Sequence, residues 1–142
     1  KTLFSGGKGQ MVAMGQVQEL PDEMASMLKV QTYVFPEVHY EALGFKLAFI
    51  GTEDMDGEQV HKLEITAPNG MITNEFYSVS SGLKLKTSSA ATGDIMYSDY
   101  QEVDGVKFPM MLTIKNPMLP VALETKMKTV SFNQQLSDAD FQ

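Results

Sequence analysis

Lys46-Leu-Ala-Phe-Ile-Gly51, then Asp54-Met-Asp-Gly57, then Val60-His-Lys-Leu-Glu-Ile-Thr-Ala67 follow one another closely, and their reading decides the fold. The first and last stretches alternate with period two, the signature of a strand with unlike faces. His61, Leu63 and Ile65 share one of those faces. Asp56-Gly57 supplies the positive φ values that a two-residue hairpin needs. The segment therefore reads as strand, tight turn and returning strand.

The same grammar repeats downstream. Pro68-Asn69-Gly70 is a turn before a strand from Met71 to Val79. Ser80-Ser81-Gly82 turns into Leu83 to Thr87, where Leu83 and Leu85 alternate with Lys84 and Lys86. Ser88 to Gly93 is a polar link. Ile95 to Val103, Asp104-Gly105 and Val106 to Phe108 form another hairpin, and Met110, Leu112 and Ile114 continue on one face. Asn116-Pro117 ends that strand, and a last one is expected from Leu123 to Phe132. Consecutive hairpins imply an antiparallel meander of about seven strands.

Upstream, Gly6-Gly7-Lys8-Gly9 punctuates residues 1–18 as a hairpin. Leu20-Pro21-Asp22-Glu23 is a helix start, with proline and acids in the first turn. Leu20, Met24, Met27 and Leu28 make one apolar stripe. A second short helix is expected from Glu37 to Leu43, closed by Gly44. Lys1-Thr-Leu-Phe4 reads as the end of a strand, so the chain is expected to be a piece of a larger protein, folded as a single domain over 1–142.

Composition narrows the function classes. The chain has 142 residues, 43% of them hydrophobic and 20% charged, with a net charge of −7 and no cysteine. Such a chain can bury a core without disulfides. Thiolate zinc and redox sites are excluded. The acidic balance, with no basic cluster, argues against nucleic acid and against an anionic membrane surface. No apolar run approaches the roughly 18–20 residues of a membrane-spanning helix. The 11 methionines suit an adaptable apolar surface as well as ordinary core filling.

Motifs of catalysis and metal binding fail on inspection. His61-Lys-Leu-Glu-Ile65 lacks the last histidine of an inverted zinc signature, and on a strand His61 and Glu64 point apart. His39, beside Glu37 and Glu41, has no anchoring partner pattern. Asp54-x-Asp56-Gly57 lacks the other ligands of a calcium loop, with Thr52 and Leu63 at its first and last positions. Gly7-Lys8-Gly9 has Val12 where a dinucleotide fingerprint needs its third glycine. A P-loop would need Ser or Thr at Gly9. No Gly-x-Ser-x-Gly elbow occurs. No catalytic residue, metal or cofactor is expected.

What remains is apolar surface. Phe45, Leu47, Phe49, Leu63, Ile65, Phe76, Met96, Tyr97, Phe108, Met110, Leu112, Ile114 and Met127 are the candidates to line a groove under a curved sheet. The same residues packed as a dry core under the helices would be the alternative.

Tyr97-Ser-Asp-Tyr-Gln-Glu-Val-Asp-Gly-Val-Lys-Phe-Pro109 with Ser137-Asp-Ala-Asp-Phe141 resembles the C-terminal half of outer-membrane lipoprotein-sorting and carrier proteins of the Lol type. The Gly6-Gly7-Lys8-Gly9 turn before Leu20-Pro-Asp-Glu23 is similar to that family too. Glu64-Ile-Thr-Ala-Pro-Asn-Gly70, Glu75-Phe-Tyr77 and Ser81-Gly-Leu-Lys-Leu-Lys86 resemble a tail domain behind insulinase-like (pitrilysin-type) zinc proteases of Bacteroidetes. The resemblance implies an α+β fold: a strongly curved, incomplete antiparallel barrel with one or two helices on its concave face, where carriers of this type hold acyl chains. It implies a periplasmic or outer-membrane-associated location. The family's leading helix and first strands are missing, and so is the protease's zinc motif, so any hydrolase activity would belong to residues outside this chain.

Two functions follow as expectations. The leading one is a non-catalytic C-terminal accessory domain of an envelope zinc protease, with the parent's catalytic portion as its partner. The alternative is a carrier-like domain that binds a lipid or lipopeptide in an apolar groove. An unpaired edge strand is also expected, and with it a homodimer through that edge or through the concave face.

Overall fold

The computed structural model describes residues 2–13, 15–118, 120–132 and 134–135, apart from the side chain of Glu23. The Ser137–Phe141 motif lies outside the described residues. The chain divides into two compact units, one of Lys1–Leu47 with Ile65–Met71, the other of Ala48–Glu64 with Ile72–Gln142.

In the first unit, β1 (Thr2–Ser5), β2 (Lys8–Ala13) and β3 (Gln16–Glu19) form a three-stranded antiparallel sheet in chain order. A third strand joins the expected hairpin because Gly15, at φ 78°, makes a second turn within residues 1–18. Helix α1 (Asp22–Gln31) follows, with Pro21 as its N-cap. Its buried position is Ala25, while Met24 and Met27 are exposed. The inward stripe is thus Ala25 and Leu28, one position round from the expected one. Gly9 on β2 makes this contact close. A β-carbon there would meet Leu28 Cδ1 at 3.0 Å and both Ala25 Cα and Leu20 Cδ1 at 3.3 Å.

The expected second helix is a 3-10 turn, Pro36–His39, followed by hydrogen-bonded turns up to Gly44. Proline opens the segment and Gly44, at φ 79°, closes it, which leaves too few residues to pay for an α-helical nucleus. Tyr40 is buried and stacks on Phe45, their ring centroids 4.9 Å apart.

A seven-stranded sheet contains β4 (Lys46–Met55), β5 (Glu58–Thr66), β6 (Ile72–Ser78), β7 (Lys84–Ser89), β8 (Gly93–Val103), β9 (Val106–Lys115) and β10 (Leu123–Lys126). Each strand lies beside its chain neighbour, from β4 at one edge to β10 at the other, so the sheet is open. The turns explain the order. Asp56 and Gly57 have φ of 55° and 87°, and Asp104 and Gly105 have 50° and 79°. Both pairs make the tight hairpin turns that match strand twist. Asp54 Oδ1 accepts the Gly57 N–H at 3.0 Å, which gives the acidic loop a structural role.

The last strand is shorter than expected. Lys126 stands opposite Met111, and Met127 N–H still donates to Met110 C=O at 2.8 Å. One step further the ladder would face Pro109, which has no N–H to offer. The chain leaves the ladder there, and Phe132 instead meets the edge of Phe108 at 6.0 Å.

Candidate functional site

Register decides which apolar residues share a face, because directly opposed residues on neighbouring strands point the same way. One row reads Thr87, Ile95, Ile114 and Leu123 across β7 to β10. The next reads Tyr97, Leu112 and Thr125. Met110, two residues before Leu112, continues that face and is buried. Strand alternation puts Phe108 on it as well, and Met127 reaches it through its bond to Met110. Tyr97, Leu112, Ile114, Phe108 and Met127 are all half-buried. Six of the expected groove residues therefore come together on one face of β8 to β10.

Phe76 and Met96 do not join them. Both stand opposite Lys86, on the other face. Phe76 is buried there, with the ammonium groups of Lys62 and Lys86 each 5.5 Å from its ring centroid. Lys86 also pairs with Asp94 at 2.7 Å, and the Ser88 hydroxyl donates to Asp94 at 2.6 Å. Partial burial pulls the Asp94 carboxyl upward. The Lys86 ammonium, the Ser88 hydroxyl and the charge of Lys115 outweigh it and hold the group below its usual 3.8. This second face thus combines the buried Phe76 ring with an ion pair at its margin.

The other candidates are dispersed. Phe45 precedes β4 and stacks on Tyr40. Leu47 and Phe49 are exposed on β4. Phe49 meets the edge of the His61 ring at 5.5 Å, and His61 Nδ1 shares a hydrogen bond with the Thr52 hydroxyl at 3.1 Å. On β5, Leu63 is half-buried and Ile65 is core. His39 lies against the ring of Tyr33, centroids 4.2 Å apart. Among the described residues, no three His, Asp or Glu side chains gather in a manner that would hold a metal ion.

The apolar face carries a polar cluster that residue alternation did not disclose. Opposite Phe76 stands Lys86, but opposite Tyr77 stands Lys84, so β7 has one extra residue, Leu85, in a bulge. The bulge turns Lys84 onto the face of Glu75 and Tyr77. Lys84 Nζ then lies 2.7 Å from Glu75 Oε1, and Tyr77 Oη donates to Glu75 Oε2 at 2.7 Å. The ammonium also sits 5.6 Å from the Tyr77 ring centroid and 5.8 Å from that of Tyr97. Tyr97 Oη shares a hydrogen bond with the Thr87 hydroxyl at 3.2 Å. Glu75 is only 3% exposed. The site is thus a set of apolar rows with a buried, hydrogen-bonded carboxylate–ammonium–phenol cluster at one side. A shallow depression of about 610 Å³ lies elsewhere, at the β4–β5 turn, lined by Gly57, Glu58, Gln59, Val79 and Ser80. No described helix is long and apolar enough to cross a membrane, which says nothing of membrane-spanning strands.

No protein-family model matches this chain, and no curated protein does. Solved structures do match. A DUF1329-family protein from Desulfovibrio piger superposes with a TM-score of 0.65 at 15% identity, over 95% of this chain and 62% of its own. A domain named for outer-membrane lipoprotein sorting, from Vibrio parahaemolyticus, gives 0.62 at 16% identity, over 94% and 63%. This chain shares its fold with that domain. A LolA-superfamily protein from Nitrosomonas europaea agrees, with 0.54 at 13% identity over 92% and 66%. Identities this low establish the fold alone. The chain spans just under two thirds of each of these three proteins.

Proposed function

We propose that this chain is a carrier-like domain that receives the acyl part of a lipid or lipopeptide on the apolar face of β8 to β10. The observation that supports this most is the composition of that face. Ile95, Leu112, Ile114 and Leu123 form apolar rows with no charge in them, and Leu123 at the end is more than half exposed. The polar cluster beside the rows suits an amphiphile, which needs hydrogen-bonding groups near one end of an otherwise apolar bed. The fold shared with lipoprotein-sorting domains supports the same reading. It also supports a periplasmic or outer-membrane-associated setting. A strong curl of the sheet would turn the rows into a groove. The role needs no catalytic residue.

The test is titration with a fluorescent long-chain fatty acid, alongside native mass spectrometry of protein purified from a bacterial envelope. The expected result is saturable uptake, weakened at least tenfold by Leu123→Asp and unchanged by Met96→Lys on the opposite face. A clean apo mass with no uptake, or equal loss in both variants, would overturn the assignment.

The accessory-domain reading is second. It is favoured by exposed apolar residues away from the rows, Leu47, Phe49 and Ile50. In that reading the domain docks on the catalytic portion of an insulinase-like parent, and the apolar rows are closed by protein instead of lipid. A folded chain that takes up no acyl probe but binds that catalytic portion would select it.

A further inference from the structure

Three methionines of the first unit face solvent. Met24 and Met27 on α1 are 51% and 42% exposed, and Met71, just past the Asn69-Gly70 turn, is 40% exposed. Methionine is ordinarily among the most buried residues, so core filling does not account for these three. Their placement follows from α1. Ala25 and Leu28 face Gly9 of β2, which leaves Met24 and Met27 together on one flank of the helix, three residues apart. β-carbons at that spacing lie about 5–6 Å from each other. The Asn69 side chain joins this flank to the turn. Its Nδ2–H donates to Met27 Sδ at 3.5 Å, and its Oδ1 accepts the Met71 N–H at 3.1 Å. The turn itself is fixed by Gly70 N–H donating to Ala67 C=O and Ala67 N–H to Met71 C=O, both at 2.8 Å.

We propose that Met24, Met27 and Met71 form a site for one soft monovalent cation, Cu(I) or its analogue Ag(I), held through thioether sulfur. The donor set decides the class. Thioethers are neutral and polarisable and favour Cu(I), whereas hard cations such as Ca2+ and Mg2+ require oxygen ligands. The chain has no cysteine to compete for such an ion, and its net charge of −7 favours cations in general. A thioether sulfur carries two lone pairs. Asn69 engages one on Met27 and leaves the other for the metal. Rotatable bonds let each methionine swing its sulfur towards a common ion, and exposure leaves room for the movement. A thioether binds no proton near neutral pH, so the site loads without proton release, unlike one of thiolates or imidazoles. The three methionines belong to the first unit and the apolar rows to the second, so the proposal holds whether or not those rows bind an acyl chain.

The test is a nuclear magnetic resonance titration of the full 142-residue chain, carbon-13-labelled at its methionine methyl groups, with silver nitrate in chloride-free buffer. Ag(I) is the probe because it needs no reductant. The methyl signals of Met24, Met27 and Met71 are expected to shift together and saturate at one equivalent. The signal of Met118, 88% exposed in the second unit, should not move over that range. Met27→Leu keeps the side-chain volume and should weaken binding at least tenfold, while Met118→Leu leaves it unchanged. Affinity should be the same at about pH 5 and about pH 7, a range in which a histidine ligand would protonate. Ca2+ at the same concentration should shift none of the three signals. Shifts spread over every exposed methionine in proportion to exposure would mean adventitious thioether contacts only, and would overturn the proposal. So would saturation that survives Met27→Leu, or a tenfold loss of affinity at the lower pH, which would assign the ion to a histidine.

Discussion

Lys84 and Lys86 sit two residues apart in an alternating stretch and would share a face in a regular strand. The Leu85 bulge separates them, and their energetics diverge as a result. Lys86 meets Asp94 where both side chains keep partial access to water, at 23% and 35%. Lys84 meets Glu75 where the side chains keep only 13% and 4%. Removing one partner of a buried pair strands the other charge, at a cost of about 3 kcal/mol, whereas a partly exposed pair contributes up to about 1 kcal/mol. Lys84→Met is therefore expected to destabilise the chain by about 3 kcal/mol in urea unfolding, and Lys86→Met by less than about 1 kcal/mol. Glu75→Gln combined with Lys84→Met should cost less than the sum of the single changes, because neither charge of the pair then remains buried. Equal losses for the two lysine variants would mean that Lys84 does not occupy the buried pair. Glu75, Tyr77, Lys84 and Thr87 escaped the sequence reading for this reason: strand alternation is a local rule, and a bulge breaks it without a residue signature.

Elements were legible where turn chemistry is local. Asp56-Gly57, Asn69-Gly70, Gly82 and Asp104-Gly105 mark their turns in the sequence, and each turn joins strands that do pair as neighbours. What escaped depended on partners far along the chain. The side of α1 that packs is set by Gly9 on β2, and β10 is cut short by Pro109 on β9. The candidate face was half legible for the same cause: Leu112 and Ile114 follow from alternation, but the exclusion of Phe76 and Met96 needed the register with β7. Gly93 shows how such distant demands constrain one residue. It opens β8 at φ 74°, and a β-carbon there would run into the Lys115 carbonyl oxygen. Gly82, at φ 70°, has nothing within 4 Å of the same position. Both would pay about 1 kcal/mol for the left-handed backbone. Only Gly93 must also push β9 away, so Gly93→Ala should cost more than about 3 kcal/mol and Gly82→Ala about 1 kcal/mol, read from urea midpoints. Similar losses at both sites would mean that β8 and β9 do not approach as described at Gly93.

At the scale of the whole molecule, the division into two units does not fall in loops. It cuts β4 between Leu47 and Ala48 and β5 between Glu64 and Ile65, so two continuous strands belong to both units. A linker would let each unit unfold alone, but here the chain passes from one unit to the other inside a strand, with no flexible segment at the cut. The sequential strand order adds to this. Every strand of the large sheet pairs with its chain neighbours, so disorder at β5 reaches β6 directly. The chain has no tryptophan, which allows one probe per unit. Phe45→Trp reports on the first unit and Phe108→Trp on the second. The expected outcome is a single urea transition, with midpoints and slopes that coincide between the two probes and with far-ultraviolet circular dichroism. Separate midpoints would show that strand continuity at the cut does not transmit unfolding, and that the first unit, with its own three-stranded sheet and helix, holds its structure by itself.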